Sequence, residues 1–439
     1  MAEQNPERVE TTVAVVGAGM SGLITARELT RRGVEVLVLE ANDRPGGRML
    51  AETSVLGSRL DLGGQWLGHG HRRFAALAAE LDAPTFRMRT PRQPGLVDGA
   101  STIGMAHPAA LTALAVLARW ALAARTGAPG RWERRTLDEV IARVPGDQAR
   151  RILEVTAGVA TTADLDRLTA HAMASTAQVQ GGLVAMLRTR GGAQDSLLVD
   201  GAGVLVERIA AELGPRLHTG RGVTAIERDA EGVTLRTAGG DVRAAKAVVT
   251  VPPPTAARIA HHPPLPAWRS AAEEASYLGT VYKAIAVYER PFWRDAGHEA
   301  EVLLLGQPGG ACFDTSPPDG PGHLCFLVAG PDARALDDLD PAGRRTALLG
   351  QLAPHLGAAV LEPAGWHEKA WHRDEHVGGG YVALPLPGSR AGYLPLPSTP
   401  DGHLHWAGTE TASDHPGYIE GAIESGERVA REVAAALRG

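Results

Sequence analysis

The sequence predicts an α/β protein of two domains: a discontinuous domain built around a parallel βαβ unit, and a second domain of α+β type. Three observations predict it. A strand, a glycine-rich turn, a helix and a second strand follow one another at the start of the chain. Strand-and-helix signals of the same kind return in residues 199–272 and 374–439. The 439 residues exceed what one core holds, and the intervening segments read differently.

The first forty residues carry the clearest chemistry. TTVAVVGAGMSGLITARELTRRGVEVLVLEAN begins with a β-branched strand, TVAVV, continues through a helix over 20–32, and ends in a second strand, VEVLVLE, after Gly33. Gly17, Gly19 and Gly22 have the G-x-G-x-x-G spacing of a Rossmann-like fingerprint. Gly17 permits the tight turn, Gly19 lets backbone approach a pyrophosphate, and Gly22 lets helix and strand pack closely. The helix N-terminus offers unpaired N–H groups to phosphate, and Glu40 closes the second strand where ribose hydroxyls need an acceptor. GAGVLV at 201–206 has Val206 in place of a third glycine, so one dinucleotide is expected.

Further along, AALTALAVLARWALAA (109–124) carries Arg119 and is short for a membrane span, which predicts a buried or amphipathic helix. Residues 85–198 are Ala/Leu/Arg-rich and predicted mostly helical. GVLVERIAAEL reads as a helix, and VTAIER, GVTLRT and AKAVVTV as strands ended by Pro252, Pro253 and Pro254. VYKAIAVYE alternates as a strand, with Tyr282, Ala284 and Ala286 on one face and Lys283, Ile285 and Val287 on the other. LHWAGTE reads as a strand, and YIEGAIESGERVAREVAAAL as a C-terminal helix. The expected division is 9–84, 199–272 and 374–439 for the dinucleotide domain, and 85–198 and 273–373 for the substrate domain.

Composition excludes several function classes. A net charge of −6 gives no basic footprint for nucleic acid. The polar start carries no secretory signal, nothing at the C-terminus resembles a membrane anchor, and two cysteines make no disulfide framework; the expected location is the cytoplasm. Histidines 367, 372 and 376 sit at spacings of five and four on a strand-like run with no cysteine nearby, which does not predict a metal site, and no G-x-S-x-G elbow is present.

GAGMSGL, LEANDRPGGR, DLGGQW, the Lys283 segment and AGTETASDHPGYIEGAIESGERVA together make the chain resemble the flavin-containing amine oxidases, the monoamine oxidase family. The resemblance implies an FAD-binding Rossmann-like domain beside an α+β substrate domain. It implies FAD contacts at Gly17, Gly19, Ser21, Gly22, Glu40, Arg48, Gly64, Gln65, Trp66, Val223, Trp371, Glu410, Tyr418 and Ile419. Tyr381 and Tyr418 match the family's aromatic cage, and Lys283 matches the lysine that holds a water against the flavin. Gly380 stands where covalent members have a flavin-linking cysteine, so the resemblance implies FAD held non-covalently; Asn42 and His415-Pro416 are further departures. A C-terminal helix N-terminus beside the flavin ring is expected to stabilise negative charge on it.

The activity so implied is hydride transfer from the carbon next to an amine nitrogen, giving an imine, with molecular oxygen as the acceptor and hydrogen peroxide as product. The partners are a small-molecule amine and oxygen, with a homodimer left open. A biosynthetic flavoenzyme that oxidises an amine or amide for cyclisation or desaturation, a carotenoid-type desaturase and a non-catalytic binding protein are the rival readings. The segment 176–192 is expected to form part of the substrate wall.

Overall fold

The computed structural model describes residues 9–91 and 94–438. Its larger sheet has eight strands. At its centre Val9–Val16 pairs in parallel with Val36–Leu39 on one side and Val242–Val249 on the other. Val223–Arg228, Val233–Thr237 and Ala260–His262 extend one edge, Leu217–His218 the other, and Leu404–Trp406 pairs with the last residues of Val242–Val249. Every strand of this sheet comes from residues 9–39, 217–262 or 404–406.

The helices Met20–Arg31, Gly203–Leu213 and Ile419–Ala436 pack together on one face of the sheet, sharing a core that includes Leu23, Leu205, Ile209 and Val429. The glycines of the first turn behave as their spacing requires. Gly17 sits at φ +99°, and a Cβ there would lie 2.9 Å from Thr250 and Val251. A Cβ on Gly22 would lie 2.0 Å from the Gly17 carbonyl oxygen, so only glycine permits this helix-to-strand approach.

The second sheet has seven strands and is mostly antiparallel, in the order Gly365–Ala370, Val281–Tyr288, Gly322–Ala329, Gly310–Asp314, Val302–Leu304, Gly95–Asp98, Ser101–Ile103. Val281–Tyr288 is an interior strand, paired on both sides, and buried throughout. Its alternation holds: Tyr282, Ala284 and Ala286 enter one core cluster, while Ile285 and Val287 enter another on the opposite face. Helices Pro108–Thr126, Asp147–Thr161 and Ala170–Val179 form a further, largely helical core. The apolar 109–124 stretch is one side of the first of these. It buries Ala110, Ala113, Trp120, Ala123 and Ala124 and leaves Leu111, Leu114 and Leu122 exposed. By length and composition it is the one described helix able to cross a membrane.

Two short ribbons tie the sheets together. Thr85–Arg87 pairs with Ser196–Leu198, and Ser276–Gly279 with Gly380–Pro385. The second ribbon carries Tyr381 from the 374–439 segment to the edge of the 273–373 segment.

Candidate active site

One cavity of about 490 Å³ runs from the glycine fingerprint to the largely helical core. Gly17, Gly19, Ser21, Glu40, Arg48, Gly64, Gln65, Trp66, Lys283, Trp371, Tyr381, Tyr418 and Ile419 line it. Gly22, Val223 and Glu410 do not. Gly22 faces the strand, Val223 begins a strand paired on both sides and packs, partly buried, against the sheet's core, and Glu410 lies just behind the wall, 2% exposed.

At the fingerprint end, Gly19 caps the helix without a side-chain hydrogen bond, and a Cβ there would meet nothing within 4 Å. Open space therefore lies over the free N–H groups of a helix N-terminus, the environment that a phosphate needs. Glu40 is buried and already engaged: its carboxylate accepts from the Ala18 N–H at 2.6 Å and the Asn42 N–H at 2.9 Å, and it still borders the cavity. The second glycine-rich turn offers no such site. Asp61 accepts from the N–H groups of Ala202 (2.6 Å) and Gly203 (3.0 Å), so a carboxylate of the chain already occupies that helix start. Burial pushes the Asp61 carboxyl above its ordinary range, against the pull of those N–H groups and of Lys283. These features fit one FAD: a phosphate-ready helix start, an acid at the second strand's end, and a cavity continuing past both.

The middle of the cavity is held by an ion pair that spans the chain. Arg48 donates to both oxygens of Glu410, at 2.7 and 3.1 Å, and to the Tyr381 carbonyl at 2.8 Å. Burial alone would raise the Glu410 carboxyl; the Arg48 guanidinium and the Ala383 N–H outweigh it and hold the pKa below the ordinary value. The pair thus fixes Tyr381, while the Thr162 hydroxyl donates to the Gly380 carbonyl one residue earlier.

Lys283 does not reach solvent. It is 3% exposed, and its ammonium donates to the Gly63 carbonyl at 2.8 Å and to Gln65 Oε1 at 2.7 Å. It also lies 5.4 Å from the Trp66 ring centroid. Burial lowers its pKa, with Cys325 and Asp61 acting in the opposite direction. An ammonium has three donors, and protein acceptors engage two, so one N–H remains for a ligand or water in the cavity that Lys283 lines.

Tyr381 and Tyr418 both border the cavity, and burial raises both phenol pKa values, so each is a neutral phenol. The Tyr381 hydroxyl has no hydrogen-bond partner among the described residues. Behind Tyr418 lies His71, whose ring centroid is 5.1 Å away, and His415, at 6.1 Å and nearly perpendicular. His415 therefore packs behind Tyr418 and is not among the residues that line the cavity. His71 is 3% exposed; burial and then His415 draw its pKa down to about 3, so it is a neutral packing ring near neutral pH.

The three histidines of WHEKAWHRDEH separate in space. His367 meets Glu52 at 2.7 Å, His372 meets Asp337 at 2.8 Å, and His376 borders the cavity. The 176–192 segment contributes Thr176, Gln180, Met186, Leu187 and Thr189 to the wall. Sequence reasoning missed Thr250, whose hydroxyl donates to the Val16 and Gly17 carbonyls beside the fingerprint. The general position of ligands at the carboxyl ends of parallel strands would have flagged it. It also missed Ser425, hydrogen-bonded to Ser21 at 2.8 Å, and Glu301, a buried acid on the cavity wall.

Comparison with known proteins agrees with this architecture. Residues 20–434 match the family model for flavin containing amine oxidoreductases. AofH of Mycobacterium tuberculosis, assigned as a flavin-containing monoamine oxidase, is 35% identical over 97% of both chains. Amine oxidase [flavin-containing] B of Bos taurus is 30% identical, over 97% of this chain and 86% of its own. The solved cyclohexylamine oxidase of Brevibacterium oxydans superposes with a TM-score of 0.92 at 26% identity, over 98% of this chain and all of the other. The family match covers residues 20–434 of the chain that carries this cavity, its paired tyrosines and its buried lysine, and the protein belongs to the flavin-containing amine oxidoreductase family.

Proposed function

We propose that the cavity binds FAD non-covalently and oxidises a small amine at the carbon next to nitrogen, with molecular oxygen taking the electrons and hydrogen peroxide leaving. The observation that carries the reading is the convergence of Lys283, Tyr381 and Tyr418 on the cavity that begins at the fingerprint. FAD, when bound, supplies the two-electron acceptor.

The chain's residues do the rest. Gly17, Gly19 and Ser21 receive the phosphates at the helix start, and Glu40 and Asn42 border the adenosine end. Arg48, held by Glu410, and the Gly64–Trp66 turn border the ring end. Gly380 presents no nucleophile for a covalent link. Two neutral phenol rings orient the amine and exclude water, which favours the uncharged amine whose lone pair drives imine formation. The free N–H of Lys283 holds a water near the reacting centre. Apolar Leu96, Ala110, Leu117, Ile152 and Met186 form the far wall and accept an aliphatic or cyclic substrate body. The free cysteines Cys312 and Cys325, both buried, support a cytoplasmic setting.

A peroxide-release screen of primary, secondary and cyclic amines tests the reading. At least one class should give amine-dependent peroxide and lose it in a flavin-free preparation. Peroxide from none of them, with flavin bound, overturns oxygen-linked amine oxidation.

A further inference from the structure

Three side chains on the cavity wall can carry a positive charge: Arg48, Lys283 and His376. The first two are committed. Arg48 is paired with Glu410, and Lys283 is bonded to Gly63 and Gln65 beside the Trp66 ring. The His376 ring makes no hydrogen bond among the described residues, although its backbone is tightly held.

The turn that carries His376 is built on Asp374. Asp374 Oδ1 accepts from the N–H groups of His376 at 3.2 Å and Val377 at 3.0 Å, and the Asp374 carbonyl accepts from Gly378 at 2.7 Å. Successive amides thus fold back on one residue. The Lys369 ammonium holds that residue in turn, 2.7 Å from Oδ2. Burial alone would raise the Asp374 carboxyl; Lys369 and the two N–H groups outweigh it and keep the pKa below its ordinary value.

Two contacts place the turn along the cavity. On one side, the Arg258 guanidinium donates to the Glu375 carbonyl at 3.2 Å. Arg258 follows the short helix Pro253–Ala256, which begins just past Thr250, the residue whose hydroxyl holds the fingerprint carbonyls. On the other side, Val377 packs with Trp371 and Tyr381. His376 therefore borders the cavity between the fingerprint and the ring end, the stretch that an extended dinucleotide crosses with its diphosphate. That diphosphate is a dianion, and a helix N-terminus offers it only roughly half an elementary charge.

We propose that His376 is the side-chain partner of the FAD diphosphate and that Lys369, through Asp374, is the positioning residue that aims it. The inference rests on the reading of the cavity as an FAD site. An imidazole N–H donates to phosphate oxygen, and a protonated ring adds the charge that the helix start lacks. With Gly380 in place of a linking side chain, retention of the flavin rests on contacts of this kind.

The test is the FAD dissociation constant of the deflavinated protein, read from flavin fluorescence with no amine present. His376→Ala should weaken FAD about tenfold, the scale of one hydrogen bond to a charged group. His376→Gln keeps a donor without the charge and should weaken it about threefold, while His376→Lys should bind at least as well as His376→Gln. Lys369→Met should weaken FAD about threefold in the wild-type background and less than about twofold in His376→Ala, the coupling that a positioning role requires. An alanine variant that binds FAD as wild type does, or a lysine variant as weak as alanine, overturns the diphosphate contact. Additive losses for Lys369→Met and His376→Ala overturn the positioning role. If His376→Ala fails to fold, a His376→Lys protein that binds FAD more weakly than His376→Gln overturns the contact. Wild-type protein that takes up no FAD fails the cavity reading itself, whereas unchanged affinity in His376→Ala on an FAD-binding protein fails this inference alone.

Discussion

Lys283 and Gln65 meet at 2.7 Å through a hydrogen bond that joins an interior strand of the second sheet to the DLGGQW turn. The same ammonium holds the Gly63 carbonyl two residues earlier, so one side chain fixes the turn and still lines the cavity. A guanidinium in its place would present a wider planar fork with a charge that burial does not readily remove.

Lys283→Met removes the donor for two buried acceptors and should cost about 2–6 kcal/mol of stability, at about 1–3 kcal/mol for each acceptor left unsatisfied. Bound FAD should remain, and flavin reoxidation should slow in stopped-flow mixing with oxygen. Wild-type rates in both half-reactions would show that Lys283 is structural only.

Tyr381 and Tyr418 separate packing from function. Tyr381→Phe deletes a hydroxyl without a partner, so thermal stability should hold or rise slightly, and amine oxidation should persist. Tyr381→Ala and Tyr418→Ala should each lower kcat/KM for amines by more than their loss of stability explains. Unchanged kcat/KM in both alanine variants makes the rings packing residues.

His71 gives the fold an acid-sensitive point. Its folded pKa, about 3, lies below the ordinary value near 6.5, so the unfolded chain binds the extra proton between them. The stability that follows is fully present above the ordinary value and is lost as pH falls toward 3. His71→Asn should flatten that part of the stability–pH curve, measured by urea unfolding. A curve parallel to wild type contradicts the assignment.

Much of this was legible in the sequence because the informative residues are local. The Gly17–Gly22 turn, Glu40 and the Val281–Tyr288 alternation are set by spacing, and the structure reproduces them. The helix GVLVERIAAEL and the strand VTAIER fall on the expected residues. What was not legible depends on distant partners. GHEAEVLLL reads as a polar turn entering a strand, and only the pairing of Gly95 with Val302 and the approach of Thr189 bury Glu301. Asp61 in DLGGQW caps the helix that starts 142 residues later, a role its local sequence does not announce. Position 65 was read from resemblance; its reason, a carbonyl turned to Lys283 across 218 residues, is a tertiary fact.

Gly380 bears on how the cofactor is held. Acid precipitation should release yellow flavin into the supernatant, and colour retained in the pellet would show a covalent link formed elsewhere.

The account's central claim is that the cavity from Gly19 to Tyr418 brings a bound flavin and an amine together. Anaerobic mixing of the purified, FAD-loaded protein with the amine series, followed by the visible flavin absorbance, tests it most directly. The account predicts that at least one amine bleaches the flavin fully, one equivalent per chain, and that admitting oxygen restores the colour. Flavin that stays oxidised in the presence of every amine would contradict it.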